Sequence, residues 1–257
     1  MMDKEISTLY TRDTYLNKDL PHIFGQDIYE YDMHRAGLSI TKEFKLLPES
    51  TISNIELNSK DKTEIAVKLG KIQRKNTDYK DGLKEGFIKA RRLFFEANML
   101  EDHNILSIKK DAIFTLVPCE TRKFGFIEFA EKNRYSSFLS TKKYEFYYYD
   151  GKVDVKGLDD KKLYYHRDFI MKFIITYFRK MEEEGKDSTL KYLRLMIDKY
   201  KKRDLPLGYY RSFNSESSYK SKDGVLEYQD ISSELLHEID YSFNYNAIFI
   251  PFLIHTL

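Results

Sequence analysis

Apolar positions along the chain recur with two different periods, and the changes between them mark out the elements. Ile28 to Tyr31 reads as a short strand ending at Asp32, after which Gly37 breaks the chain. Leu38 to Leu47 reads as a short helix halted by Pro48, whose ring cannot continue one. Beyond Ser59, the spacing of Ile65, Leu69 and Ile72 predicts an amphipathic helix. Asn76-Thr77-Asp78 makes a turn, and Tyr79, Leu83, Phe87, Ala90 and Phe94 predict a second helix. A helical hairpin at about 59–99 is therefore expected, whereas residues 1–26, polar with scattered aromatics, predict little.

Period two returns after the hairpin. Residues 105–117 read as a strand hairpin with Lys109-Lys-Asp-Ala112 at its tip, followed by extended stretches at Phe124–Phe129 and Tyr144–Tyr149. Asp150-Gly151 is a strong two-residue hairpin turn. Past Lys156-Gly157 the period becomes helical, with Phe169, Ile170, Phe173, Ile174, Tyr177 and Phe178 on one stripe. A polar turn at Glu182–Ser188 interrupts it, and Leu190, Leu193, Ile197 and Tyr200 continue as a helix opened by the capping types Asp187 and Ser188. Residues 208–233, rich in Ser, Tyr, Lys and Asp, read as a loop, and the apolar run Ala247–Ile254 as a terminal segment returning to the core. The class is α+β, with a boundary near residue 158.

Composition narrows this picture only modestly. The 43 basic and 41 acidic residues nearly cancel, so any nucleic-acid surface has to be a local stripe. The 21 tyrosines and 18 phenylalanines suit a core, or stacking surfaces for bases. A single cysteine, Cys119, excludes an internal disulfide and a cysteine-based zinc site and reads as buried and inert. The six histidines show no metal-ligand spacing. No signal peptide and no membrane-length apolar run is visible, so the expectation is a soluble, intracellular, cytoplasmic protein.

Two acids stand where strands run out, Asp32 and Asp111. Two carboxylates on neighbouring strands are the least a protein contributes to a two-metal phosphoryl-transfer site, where the ions sit about 3.5–4 Å apart. The plainer alternative makes Asp32 a helix cap and Asp111 an ordinary hairpin-tip acid. The second helix of the hairpin carries Lys84, Lys89, Arg91 and Arg92, which suit a triphosphate but also suit a solvated face, since Glu85, Lys89, Arg92 and Glu96 can pair. Lys132, Arg134, Lys142, Lys143, Lys152 and Lys156 interleave with Tyr135, Tyr144 and Tyr147–Tyr149, as in a backbone-binding surface or a sheet with tyrosines inside and lysines outside.

Three segments, taken in order, resemble family B DNA polymerases in strongly reduced, phage-type form. Tyr31-Asp32-Met-His-Arg-Ala-Gly-Leu-Ser39 is similar to the family's first palm motif, and Ser107-Ile-Lys-Lys-Asp111-Ala to its second, Asp-Thr-Asp-Ser. Lys142-Lys-Tyr-Glu-Phe leading through Asp150-Gly to Lys156-Gly157-Leu158 looks like the segment that lies along the primer duplex. Two departures stand out: Lys109 replaces the first motif-two aspartate, and the fingers motif Lys-x-x-x-Asn-Ser-x-Tyr-Gly is absent in that form. Only Lys89, Arg91, Arg92 and Asn98 lie in that region, and the chain is too short for a proofreading exonuclease domain.

The resemblance implies a polymerase-like palm sheet over 1–158 with a fingers insertion, and a mainly helical thumb-like region over 159–257. It implies a template-directed nucleotidyltransferase extending a DNA primer-template with nucleoside triphosphates, or a non-catalytic nucleic-acid-binding descendant. Asp32 and Asp111 would hold two Mg²⁺; Lys84, Lys89, Arg91, Arg92 and Gly37 would face the nucleotide; Lys132, Arg134, Lys142, Lys143 and Lys156 would contact nucleic acid. Gly37 falls where the family has a sugar-excluding tyrosine, so either the sugar site is open or the glycine only turns the backbone.

Overall fold

The computed structural model describes residues 6–158, 170–210, 218–221, 224–227, 246 and 248–257. Its contacts form two units, Met1–Leu20 with Asp27–Arg134, and Pro21–Gln26 with Tyr135–Leu257, so the expected boundary at 158 lies inside the second. Sheet pairing is antiparallel throughout, and no helix among the described residues is long and apolar enough to cross a membrane.

In the first unit the strands are β1 (Thr14–Leu16), β2 (His22–Met33), β3 (Ile105–Lys109), β4 (Ala112–Thr115), β5 (Lys123–Phe124) and β6 (Ile127–Ser140), the last continuing into the second unit as β2's first residues do. Their order is β1-β3-β4-β2-β6, with β5 folded back on β6. The hairpin tip is narrower than the sequence implied: Lys109 still pairs with Ala112, leaving Lys110-Asp111 as the turn. The stretch 124–129 is not one strand, because Gly125, with φ 59°, and Phe126 turn β5 into β6.

The helices are α1 (Ala36–Glu43), α2 (Glu49–Leu57), α3 (Lys62–Lys75) and α4 (Thr77–Ala97). The hairpin α3–α4 agrees with the apolar spacing, and its starts are chemically specified. Asp61 accepts from the Thr63 and Glu64 N–H groups at 2.8 and 2.9 Å, and Asn76 from Tyr79 N–H at 3.0 Å. Helix α2 has weak periodicity and was not legible. Alternate β2 residues Tyr29, Tyr31 and Met33 pack with Ile108, Ile113 and Phe129 against Ile40, Leu83, Ala90 and Phe94 of the helices. Leu38, Ile52, Ile55, Ile65, Leu69 and Tyr79 make a second core between helices.

In the second unit β6 pairs with β7 (Glu145–Tyr149), and β7 with β8 (Lys152–Lys156) through the expected Asp150-Gly151 turn, both residues at positive φ. Helices α5 (Lys172–Glu183) and α6 (Gly185–Lys202) meet at Glu184 alone, so the polar turn at 182–188 shrinks to one residue and Asp187 and Ser188 sit in α6's first turn rather than capping it. The C-terminal run forms α7 (Phe249–Thr256), whose Phe249, Phe252 and Leu253 join Phe146, Tyr148, Phe173, Ile174, Tyr177 and Phe178 in one core. Part of the expected loop is a hairpin of β9 (Ser218–Ser221) and β10 (Gly224–Glu227). Phe169, His166, His237 and residues 211–217, 222–223 and 228–233 lie outside the described residues.

Candidate functional site

The end of β2 and the β3–β4 turn are held together at the mouth of a cavity. Asp32 stands opposite Ala112 in the ladder, and Met33 N–H donates to the Asp111 carbonyl at 3.0 Å. The chain then turns at Arg35, with φ 45°, and enters α1. Between this junction, α3, α4 and the turn lies a cavity of about 670 Å³. Its apolar wall includes Met33, Leu38, Ile65, Leu69, Leu83 and Phe87; its polar rim carries Arg35, Lys62, Lys80, Lys84 and Lys110 against Asp13, Asp81 and Asp111. None of those five cations makes an ion pair among the described residues, whereas Asp13 is committed to Arg91 at 3.0 Å. The rim is thus electropositive, and low-dielectric walls strengthen its field. Arg35 and Lys110 are both non-glycine residues at left-handed φ, 45° and 58°, a conformation costing roughly 1–2 kcal/mol each.

Of the two strand-end acids, Asp111 lines this cavity and Asp32 does not. Alternation explains the difference: Tyr31 and Met33 point to the helix-covered core, so Asp32 faces the other way with Glu30. There the Lys132 ammonium lies 3.7 Å from Asp32 and 3.6 Å from Glu30, a carboxylate only 1% exposed to which Asn133 also donates at 3.1 Å. Asp32 is not a helix cap, because the residue capping α1 is Arg35 and no side chain caps it. Among the described residues no group of three or more His, Cys, Asp or Glu gathers in a metal-holding arrangement.

The basic face expected on α4 divides. Lys84 lines the cavity, as does Gly37. Lys89 pairs with Glu85 at 2.9 Å and lies over the Phe44 ring; Arg92 pairs with Glu96 at 2.7 Å and lies over Tyr10. Arg91 is fully buried. Its guanidinium donates to Tyr10 C=O at 2.7 Å, Lys110 C=O at 2.9 Å and Asp13 at 3.0 Å, so it holds the N-terminal segment and the turn, rim residues Asp13 and Lys110 included, without itself lining the cavity. Burial lowers its pKa from the usual arginine value, and Asp13 opposes that shift. Gly37 sits inside α1 without a positive φ, so it is not a backbone break.

The lysines expected to meet nucleic acid are likewise separated. Lys132 is paired as described, and Arg134 is bonded to Asp27 and lies over the Tyr29 ring at 5.0 Å. Lys142 and Lys143 are exposed beside a smaller cavity of about 290 Å³ formed with Tyr144, Pro251, Ile254 and His255. Lys156 is half-buried opposite Glu145 in the β7–β8 ladder. Tyrosines do face inward here: Tyr135 donates to Asp154 and Tyr147 to Glu145, both at 2.8 Å.

Sequence reasoning passed over four rim cations, Arg35, Lys62, Lys80 and Lys110. Lys80 and Lys84 share a helix face at i, i+4 and were readable; Lys62 and Lys110 reach the rim only through the packing of α3 and the turn. No curated protein matches the chain. The family described as bacteriophage PBS1 gene 130 protein carries a phage origin and no stated chemistry, which agrees with the phage character expected from the sequence. Its model matches residues 2–257, and the chain belongs to that family.

Proposed function

We propose that this phage-family protein is a template-directed nucleotidyltransferase resembling family B DNA polymerases, with the triphosphate of an incoming nucleotide bound at the cationic cavity. One observation carries the reading: the strand end bearing Asp32 and the turn bearing Asp111 are hydrogen-bonded neighbours at the mouth of a cavity whose rim lysines make no ion pair among the described residues. Lys80, Lys84, Lys62 and Arg35 have the chemistry to hold phosphate oxygens, and the apolar wall with Phe87 suits the base and sugar. Mg²⁺ fits Asp111, which lines the cavity, because the ion needs as few as one carboxylate beside phosphate oxygens and water; Asp32, on the other side of the sheet against the Lys132 ammonium, does not share that site. Asp111 would hold it; when bound, the ion supplies charge neutralisation at the phosphates.

The Lys132 ammonium favours a second reading, a protein that binds nucleotide or nucleic acid without catalysis, because Asp32 already has its counter-charge and Lys109 replaces a further acid. Primer extension with Mg²⁺, run beside equilibrium binding of a nucleoside triphosphate, separates the two. Extension abolished by D111N supports the first. Binding without extension supports the second. K80Q and K84Q should each weaken triphosphate binding about tenfold or more, since a hydrogen bond to a charged group contributes about 1.5–3 kcal/mol. No measurable triphosphate binding removes the catalytic reading and the nucleotide-binding form of the second.

A further inference from the structure

We infer that the outward face of α6, in the second unit, is a docking surface for the phosphate backbone of duplex DNA. The inference does not depend on the cavity or on catalysis. Thr189, Leu193 and Met196 bury one side of α6, and the opposite side exposes Lys191, Arg194, Lys199, Lys201 and Lys202, with Lys186 in the first turn. Asp187 and Asp198, the helix's acids, are exposed on the same side, one turn from Lys191 and from Arg194 and Lys202, leaving six cations against two acids. None of these six cations makes an ion pair among the described residues, unlike Lys89, Arg92, Arg122, Arg134 and Lys180, each of which meets a carboxylate. The excess of positive charge on this face costs energy, and a polyanion removes that cost.

Helix-end electrostatics account for part of the pattern. Lys199, Lys201 and Lys202 sit in the last turn, where the helix dipole favours cations. Lys191 and Arg194 lie mid-helix, beyond the reach of that effect. Lys191, Arg194, Asp198 and Lys202 follow i, i+3, i+7, i+11 spacing and so form one row of three cations and one acid, spanning roughly 16 Å at about 1.5 Å per residue. A straight, rigid row suits the regular charge of a duplex. Single strands are held by stacking on exposed rings, and here Tyr192 is stacked on Phe173 at 5.7 Å and Tyr200 on Tyr210 at 4.8 Å. A membrane surface needs an apolar face to insert, and α6 spends its own on the core, leaving Leu195 half-exposed.

The test is binding of the full-length protein to a labelled DNA duplex across a salt series, comparing wild type with K191Q/R194Q/K202Q. If each cation holds one phosphate, the slope of log affinity against log salt should fall by about 2.7, at about 0.9 per phosphate. Circular dichroism confirms the helix content of the variant. R122Q/K180Q, which removes cations already paired with Glu131 and Glu184, should leave the slope unchanged. Wild type that does not bind duplex overturns the inference. So does an unchanged slope in the triple variant, or an equal fall in the paired-cation control. Loss of binding to phosphatidylserine vesicles or polyglutamate, with duplex binding intact, assigns the face to another partner and overturns it too. A protein that extends no primer but shows the slope change leaves this surface standing and removes only the catalytic reading.

Discussion

Replacing Arg91 by methionine should destabilise the first unit and release two rim residues, Asp13 and Lys110, from the guanidinium that holds them. The methionine keeps most of the apolar stem but removes three donors, those to Tyr10 C=O, Lys110 C=O and Asp13. Asp13 is about half-exposed, so water replaces its lost partner at little cost. The two carbonyls face a buried position and keep no donor from residue 91, at about 1–3 kcal/mol each. Against this, the variant no longer buries a charge. The net expectation is a loss of roughly 2–5 kcal/mol, a large share of the roughly 5–15 kcal/mol that stabilises a typical domain. Lysine at 91 restores a charge but not the planar fork that reaches three acceptors, so R91K should recover only part of the loss. Urea unfolding of wild type, R91M and R91K, with the midpoint and slope fitted together, measures this. The reasoning fails if R91M costs under about 1 kcal/mol, and a stable R91M that no longer binds nucleotide would return Arg91 to the ligand site.

Three more outcomes are expected. G37A should fold at least as stably as wild type, gaining up to about 1 kcal/mol of helix propensity, because the new methyl meets only Leu69 at an ordinary 3.7 Å. G37Y should fill part of the cavity and, on the proposed function, suppress ribonucleotide use more than deoxyribonucleotide use in single-nucleotide incorporation; equal loss of both would refute the open sugar site. G86A should destabilise by about 1–3 kcal/mol in thermal or urea unfolding, since a methyl there would come within 2.3 Å of Ile40 where α1 crosses α4. Cys119 should resist thiol reagents until the protein unfolds, because burial pushes its thiol from 9.0 up to about 12. Between those values the folded protein keeps a proton that the unfolded chain releases, so stability should fall as pH rises from 9 towards 12; a flat pH profile would contradict this.

The local signals in the chain were strong where one residue sets its own geometry or where one period runs long enough to count. Asp150-Gly151 specifies its turn because both positions take positive φ, and the α3–α4 hairpin follows from two apolar stripes closed by Asp61 and Asn76. The start of β2 at His22 and the existence of α2 were not legible, because their pairing and packing partners lie far along the chain. Polar side chains show the division most sharply. Sequence placed Asp32 and Asp111 at strand ends correctly, yet only strand alternation and the turn decided that one faces Lys132 and the other the cavity. It gave Lys84 and Arg91 the same role on one helix, but their two faces meet different surroundings: Lys84 opens onto the cavity rim, while Arg91 points at carbonyls brought from residues 10 and 110. A charge carries its chemistry in its identity; whether it is spent on a neighbour or left for a ligand depends on groups distant in sequence, and only folding sets those distances.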